Sequence, residues 1–409
     1  MTSSSIGAWA PLRNRIYFSL WLAMLVSNTG TWMHDIGAGW HMTSLSASPL
    51  MVALVQTATT LPMFLLAIPA GALADIFDRR QYLIVTQCWL LAVAATLGVL
   101  TLSGATDATV LLMMTLMMGL GSAMMMPAWS AVTPNVVARE QLPAAVALNS
   151  LSINVARAIG PALAGIIVVK LGAGAVFLLN AVSYVAVLVA LLRWQYTPRT
   201  LKTRSQPVLQ VIGDGLRYVW AFSAFKLVIA RGMMFYVFAS ALWALLPVVA
   251  RGLPNGSAAT FGLLVAGVGV GAVSAAIVLP AIRRRTTSDT LVVLASMLCA
   301  LGVGGLSLAD HLFAALAAVF TFGFAWIAVL SSIHTAAQLA LDEEMRSRAL
   351  SVYMMSFMGS MAGGSALWGV LASITSTPNA LACAAIGLTV FAWPARVLSL
   401  RPAEMRVLS

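Results

Sequence analysis

The sequence of 409 residues is 61% apolar and 9% charged, where a soluble globular domain is about half apolar and about a quarter charged. Such a chain cannot cover its own surface with polar groups. This excludes a water-soluble enzyme, a disulfide-built secreted domain and a disordered protein as readings of the whole chain, and leaves a polytopic membrane protein. The formal charge of +11 would suggest nucleic acid if the cations shared one surface. They stand instead at the ends of apolar runs, so no nucleic acid is expected.

Twelve apolar runs reach the about 20 residues that cross a hydrocarbon core as a helix. They cover residues 16–42, 49–74, 82–103, 108–132, 146–169, 173–193, 226–250, 259–282, 290–308, 311–340, 349–373 and 379–400. The first run is too long for the core of a cleavable signal and carries a polar stripe, so it is expected to stay in the membrane. With the amino terminus inside, all but four of the 23 Lys and Arg residues fall on the cytoplasmic side. Lys170 and Arg251 fall outside, and Arg157 and Arg231 lie within runs. The positive-inside rule therefore predicts that both termini are cytoplasmic. Cys88, Cys299 and Cys383 stand singly in apolar runs, which gives no metal spacing and no disulfide framework, and no cofactor is expected.

The expected architecture is all-α. A cytoplasmic tail (1–15) precedes a six-helix bundle (16–194), a cytoplasmic linker (195–225), a second six-helix bundle (226–400) and a short tail (401–409). The halves are weakly repeated. VVAREQLPAAVALNS (136–150) leads into a helix with Gly160 and Gly165, as LDEEMRSRALSVY (341–353) leads into one with Gly359, Gly363 and Gly364. A parallel repeat of six helices is expected of transporters whose substrate site lies between the halves at the bilayer midplane.

The segment GALADIFDRR (71–80) resembles the loop between the second and third helices of the major facilitator superfamily, usually Gly-x-Leu-Ala-Asp-Arg-x-Gly-Arg-Arg. Gly71, Leu73, Asp75, Arg79 and Arg80 match, while Ile76 replaces the first Arg and Asp78 the second Gly, so the motif's charge network is incomplete. Residues 30–56 and 126–165 resemble the transmembrane secretion effector branch, which includes the enterobactin exporters. The resemblance covers essentially the whole chain. It implies the superfamily fold of two six-helix bundles and efflux of small molecules across the inner membrane of a bacterium.

A carboxylate at a helix end interacts favourably with the positive amino end of a neighbouring helix. For Asp75 the resemblance implies that this neighbour is the eleventh helix, starting near Arg348, and that the contact latches the halves in the outward-facing state. The alternative is plain topology, with Arg79 and Arg80 obeying the positive-inside rule and Asp75 solvating the turn. In the fifth run, Ala156, Gly160, Pro161, Ala164 and Gly165 resemble the Gly-rich motif of exporting members, with two Ala replacing Gly. Small residues four apart permit close helix approach and Pro161 permits a bend. Gly160, Pro161 and Gly165 are thus candidates for a gate, or for ordinary close packing.

Polar groups inside membrane helices are costly and mark function. Asp35 is the one carboxylate within a run, on a stripe with Asn28, Thr31, Trp32 and Gly39 at helical spacing. It is the candidate proton-coupling site, tuned by His34 or His41; the alternative is a structural carboxylate near the outer interface. A proton crossing a 100 mV potential supplies about 2.3 kcal/mol, sufficient for roughly a fiftyfold gradient of a neutral solute. No phosphate-cradling Gly-x-x-x-x-Gly-Lys-Ser/Thr occurs, so ATP is not the expected driver. The Arg that many proton antiporters of the superfamily carry before the Gly of helix four is absent from MMTLMMGLGSAMMM (113–126).

Arg157 lies mid-helix on a stripe with Ser150, Asn154 and Pro161 and is expected to face a cavity or pair with a polar group. Arg231, a turn or two from a cytoplasmic end, is expected to snorkel or to line the cavity. Ser331, His334 and Gln338 form a polar stripe on the tenth run. Gln56 and Asn180 are isolated amides, and with Asn28 and Trp32 they complete the cavity candidates. The Met clusters at 113–118 and 124–126 suit an adaptable pocket or plain packing.

The expected function is secondary active efflux of small amphiphilic molecules (a siderophore, drug or metabolite) by a proton-coupled monomer working by alternating access. An importer of the same fold and a nontransporting intramembrane protein are the alternatives. No enzyme is expected, because the four His residues show neither His-Glu-x-x-His nor a comparable catalytic spacing.

Overall fold

The computed structural model describes residues 7–130, 132–194, 217, 222–339 and 346–392. Most of the expected linker, the end of the twelfth run past 392, the tail, and the side chains of Asp75 and Arg348 lie outside the described residues. Each expected run is a helix. They are α1 (Arg15–Leu45), α2 (Pro49–Ile76), α3 (Arg79–Leu102), α4 (Ala108–Ser130), α5 (Leu142–Leu171), α6 (Ala173–Arg193), α7 (Ser223–Gly252), α8 (Ala258–Arg283), α9 (Ser288–Ser307), α10 (Leu312–Leu339), α11 (Arg346–Ile374) and α12 (Thr377–Ala392). Among the described residues, ten helices are long and apolar enough to cross a membrane by length and composition. The protein is an all-α, multi-pass membrane protein.

Local chemistry sets where several helices begin. Asp78 caps α3 by accepting from Gln81 N at 2.9 Å, and Asp107 accepts from Val110 N at 2.8 Å at the start of α4. Ser257 and Thr260 form a reciprocal capping box on α8, which satisfies amide groups that have no partner within the helix. Gly172, at φ +82°, lets α5 end and α6 start within one residue, a backbone conformation that side chains with a Cβ resist. In the α9–α10 turn, Asp310 accepts from His311 Nδ1 at 2.5 Å, and that hydrogen bond holds its carboxyl below the usual carboxylate range.

The chain divides into two compact units, Met1–Ala38 with Leu66–Ser205 and Gly39–Leu65 with Gln206–Ser409, so the division runs through α1 and α2. In the first unit, α3 packs on α6 and α4. Leu83, Leu90 and Leu97 of α3, two turns apart on one face, are fully buried. Close approach comes from glycine: a Cβ on Gly174 would stand 3.2 Å from the Gly98 carbonyl oxygen.

In the second unit, α7 packs on α11 and α12, α8 on α10, and α9 on α10 and α12. Gly271 of α8 and Gly323 of α10 lie so close to the opposing backbone that a Cβ on either would overlap it. The internal packing repeats: α3 with α6 and α4 in the first unit corresponds to α9 with α12 and α10 in the second. Gly160 of α5 lies on Thr29 O of α1, and Gly364 of α11 lies on Val237 O of α7.

Candidate functional site

The first unit gathers most of the sequence-expected polar residues on α1 and α5. A Cβ on Gly160 would stand 2.7 Å from Trp32 Cβ and 3.1 Å from Thr29 O, and one on Gly30 would stand 2.6 Å from Ser183 Oγ. These contacts hold α1 against α5 and α6. Asn28, Trp32 and Asp35 lie toward the edge of that packed face and are all partly exposed.

Arg157 stands over Trp32, its Cζ 5.4 Å from the ring centroid, within range of a cation–π attraction. Its Nε is buried without a hydrogen-bond partner. No hydrogen bond or ion pair joins its terminal nitrogens to any described residue, and they are not among the buried unpartnered atoms. Asn154, one turn earlier and exposed, donates Nδ2 to Ser150 O at 2.8 Å. Gly160, Pro161 and Gly165 are buried, Gly160 in the contact with α1.

Asp35 likewise has no hydrogen bond or ion pair with a described residue. On the neighbouring face the Tyr184 hydroxyl lies 3.3 Å from Thr31 Oγ1 and accepts from Asn180 Nδ2 at 3.4 Å. Asn180 is fully buried and its Oδ1 also accepts from Ser183 Oγ at 3.2 Å, so this amide is spent on α6 itself. His34 faces elsewhere, since neighbours along a helix lie about 100° apart around it. Its ring is buried against Phe177 with centroids 4.7 Å apart, and neither ring nitrogen has a partner. No hydrogen bond joins it to Asp35, which leaves the expected tuning without a contact.

The basic turn before α3 has a structural task inside the same unit. Arg80 donates Nε to Leu191 O and Nη2 to Leu192 O, both at 2.8 Å, and so closes the carboxyl end of α6. Arg79 opens α3, and Gly71 has open space where a Cβ would be added.

The remaining candidates lie in the second unit. Arg231 does not snorkel: it is 4% exposed and its Nη1 meets Asp289 Oδ1 at 2.6 Å, tying α7 to the first turn of α9. The physical reason is that an acid is within reach inside the bundle, so the guanidinium is neutralised there instead of stretching to water. Gln338 and His334, one turn apart on α10, bond each other at 3.0 Å. Gln56 is partly exposed on α2.

Sequence reasoning missed two features here. An aromatic cluster joins α7, α10 and α11: Trp326 stacks on Phe322 at 5.7 Å, Phe357 meets Tyr236 at 4.4 Å, and the Tyr236 and Tyr353 hydroxyls are 2.9 Å apart. Its signal was the spacing Tyr236 to Trp243 and Phe322 to Trp326. The other is Arg251, which donates to the Thr43 carbonyl, to Thr43 Oγ1 at 3.0 Å and to Ser44 Oγ at 3.3 Å. No local pattern links residues so far apart in the chain.

The sequence profile of a family described as transmembrane secretion effector matches residues 6–408. The staphyloferrin A transporter of Staphylococcus aureus (strain NCTC 8325 / PS 47) is 27% identical over 84% of this chain and 86% of its own length. The enterobactin exporter EntS of Salmonella paratyphi A (strain ATCC 9150 / SARB42) is 24% identical over 91% of this chain and 89% of its own length. Among solved structures, a POT family transporter in complex with 5-aminolevulinic acid superposes with a TM-score of 0.77 at 12% identity, covering 96% of this chain and 97% of that one. A bacterial homologue of the human lysosomal transporter Spinster superposes with a TM-score of 0.72 at 14% identity, covering 95% and 96%. The two structures share the fold.

Proposed function

Because this chain belongs to the transmembrane secretion effector family of transporters, we propose that it exports a small amphiphilic, siderophore-like molecule across a bacterial inner membrane, driven by proton entry through Asp35. Small molecules are the substrates of the family, and transport makes it no enzyme. The likeness to a staphyloferrin A transporter and an enterobactin exporter supports the siderophore class. The single observation that carries the coupling is Asp35 on α1, which has no ion-pair or hydrogen-bond partner among the described residues and can therefore gain and lose a proton without breaking a structural contact. In this reading a monomer with both termini cytoplasmic works by alternating access of two six-helix bundles, residues 16–194 and 226–400, with Gly160, Pro161 and Gly165 in a flexing contact.

Vesicles test this directly. Inverted vesicles with an acid lumen are expected to accumulate the labelled siderophore, right-side-out vesicles are not, and Asp35→Asn is expected to remove the proton-dependent part. Accumulation in right-side-out vesicles would make the protein an importer. A deletion strain that retains no siderophore and shows no change in drug sensitivity would speak for a nontransporting protein.

A further inference from the structure

The charge of the transported molecule is legible in the first unit. Arg157 is residue sixteen of the 30 in α5, near the middle of a helix long enough to span the bilayer, and a guanidinium stays protonated in any protein environment. A fixed charge at that depth needs water, a counter-ion or both. Two groups of exposed residues mark opposite sides of α5, with Val146 and Ile153 exposed as well. Ile159, Leu163 and Ile166 are exposed on one side, as a lipid-facing surface requires. Ser150 and Asn154 are exposed roughly half a turn away, and Arg157 lies in line with them at helical spacing. The guanidinium is therefore on the side of α5 opposite Ile159, Leu163 and Ile166, over Trp32.

Trp32 supplies a ring face 5.4 Å from the Arg157 Cζ. Nε is buried and unpartnered, so it offers no further exchange with solvent. The terminal nitrogens, the two-pronged fork that matches a carboxylate, bond no described residue. Asp35, one turn along α1 from Trp32, forms no ion pair with it. A buried Nε, an aromatic ring face beside Cζ and a fork with no partner among the described residues are the parts of a preorganised oxyanion receptor.

We infer that Arg157 and Trp32 form an anion subsite that takes a carboxylate or similar oxyanion of the exported molecule, an inference that rests on the export reading for the ligand being cargo. The fork engages the two oxygens, and Trp32 holds the guanidinium plane and offers its edge to an adjoining apolar or aromatic part of the ligand. Asn28, partly exposed, and Asn154, exposed, lie about one turn from Trp32 and Arg157 on α1 and α5.

The test is equilibrium binding to the purified full-length chain in phosphatidylcholine nanodiscs, with benzoate and citrate as probes and methyl benzoate, trimethyl citrate and tetraphenylphosphonium as neutral and cationic controls. The anions are expected to bind about tenfold or more tightly than their esters, a preference of the size one charge-assisted contact gives. Arg157→Gln is expected to erase that preference while still binding the esters, which shows the variant is folded; Arg157→Lys, with charge but no fork, is expected to keep part of it. Equal binding of acid and ester, preference for the cation, an intact preference in Arg157→Gln, or no binding of either anion at millimolar concentration overturns the inference. Displacement of the anions by phosphatidylglycerol added to the nanodiscs would assign the fork to a lipid phosphate and overturn it too. The outcomes separate from those of the export reading: vesicles that export without charge preference sink only the anion subsite, and anion binding without vesicle transport sinks only export.

Discussion

Arg251, in the last turn of α7, closes the carboxyl end of α1 by donating to the Thr43 carbonyl oxygen and to Thr43 Oγ1. The last carbonyls of a helix have no partner within it and carry the negative end of its dipole, so a guanidinium there satisfies both hydrogen bonding and charge. Arg80 does the same for the carboxyl end of α6. α2 makes further polar contacts inside the second unit: Thr57 Oγ1 donates to Ala362 O at 3.0 Å and Leu50 N donates to Ser373 Oγ at 3.1 Å. In the proposed topology these ties form an outer seal, to which Arg251 contributes a charged one.

Removing that tie is expected to loosen the seal without unfolding the protein. Arg251→Ala is expected to lower stability by about 0.5 to 1 kcal/mol, the worth of a cation at a helix carboxyl end. A cysteine replacing Ala53, which is fully buried beside Gly369, reports the opening. With the exposed Cys88 and Cys383 replaced by Ser, an impermeant maleimide is expected to label position 53 faster in Arg251→Ala than in its parent. Equal labelling rates would show that Arg251 has no part in closing this end.

The ion pair between Arg231 and Asp289 predicts a strongly non-additive cycle. Arg231 is 4% exposed and Asp289 19%, so deleting one partner leaves the other charge in the bundle, at a cost of about 3 to 5 kcal/mol. Arg231→Met alone is expected to lower thermal stability sharply, whereas Arg231→Met with Asp289→Asn recovers most of the loss. Thermal unfolding of the four proteins in detergent measures the coupling; additive losses would mean that the pair does not hold α7 to α9.

These two arginines also show what a sequence does and does not carry. The twelve helices were legible because hydrophobic length and flanking charge are local quantities, and, apart from the end of the twelfth, which lies outside the described residues, the observed ends fall within a few residues of the expected ones. The stripes on α1 and α5 were legible for the same reason, since side chains three and four apart share a face. Partners were not. Asp289 lies 58 residues from Arg231, and Thr43 lies 208 from Arg251, so neither pairing leaves a periodic trace. Depth from a helix end suggested snorkelling for Arg231, and only the packing of α9 on α7 supplies the acid that changes this. Asp35 and Arg157 stand out in the sequence as charges within apolar runs, while the placement of Arg157 over Trp32 depends on how closely Gly160 lets α5 approach α1.

That approach is itself testable. A Cβ at Gly160 meets Trp32 Cβ and the Thr29 backbone oxygen, atoms that cannot swing away as the end of a flexible chain does. Gly160→Ala is expected to cost about 1 to 3 kcal/mol through overpacking, and to weaken anion binding because it displaces Trp32. Gly71→Ala, which meets nothing within 4 Å, is the matched control and is expected to leave stability within about 0.5 kcal/mol. A Gly160→Ala protein as stable as its Gly71→Ala counterpart would mean that the α1–α5 contact tolerates the added atom.

His34 and Asp35 are adjacent in sequence, yet their surroundings assign them opposite fates. His34 is 2% exposed, tilts against Phe177 and leaves both ring nitrogens unbonded, so burying its polar atoms costs free energy without return. Replacing it by Phe keeps the ring contact and deletes the unsatisfied nitrogens. His34→Phe is therefore expected to raise the melting temperature by about one degree, the shift that about 1 kcal/mol brings in a chain of this size, and to leave proton-driven transport in place. Asp35→Asn is expected to do the reverse, changing stability little while removing the dependence of transport on lumen acidity. Comparing the two variants in the same inverted vesicles is decisive: loss of proton dependence in His34→Phe would place the imidazole on the proton's route despite its apolar setting, and the assignment to Asp35 alone would fail.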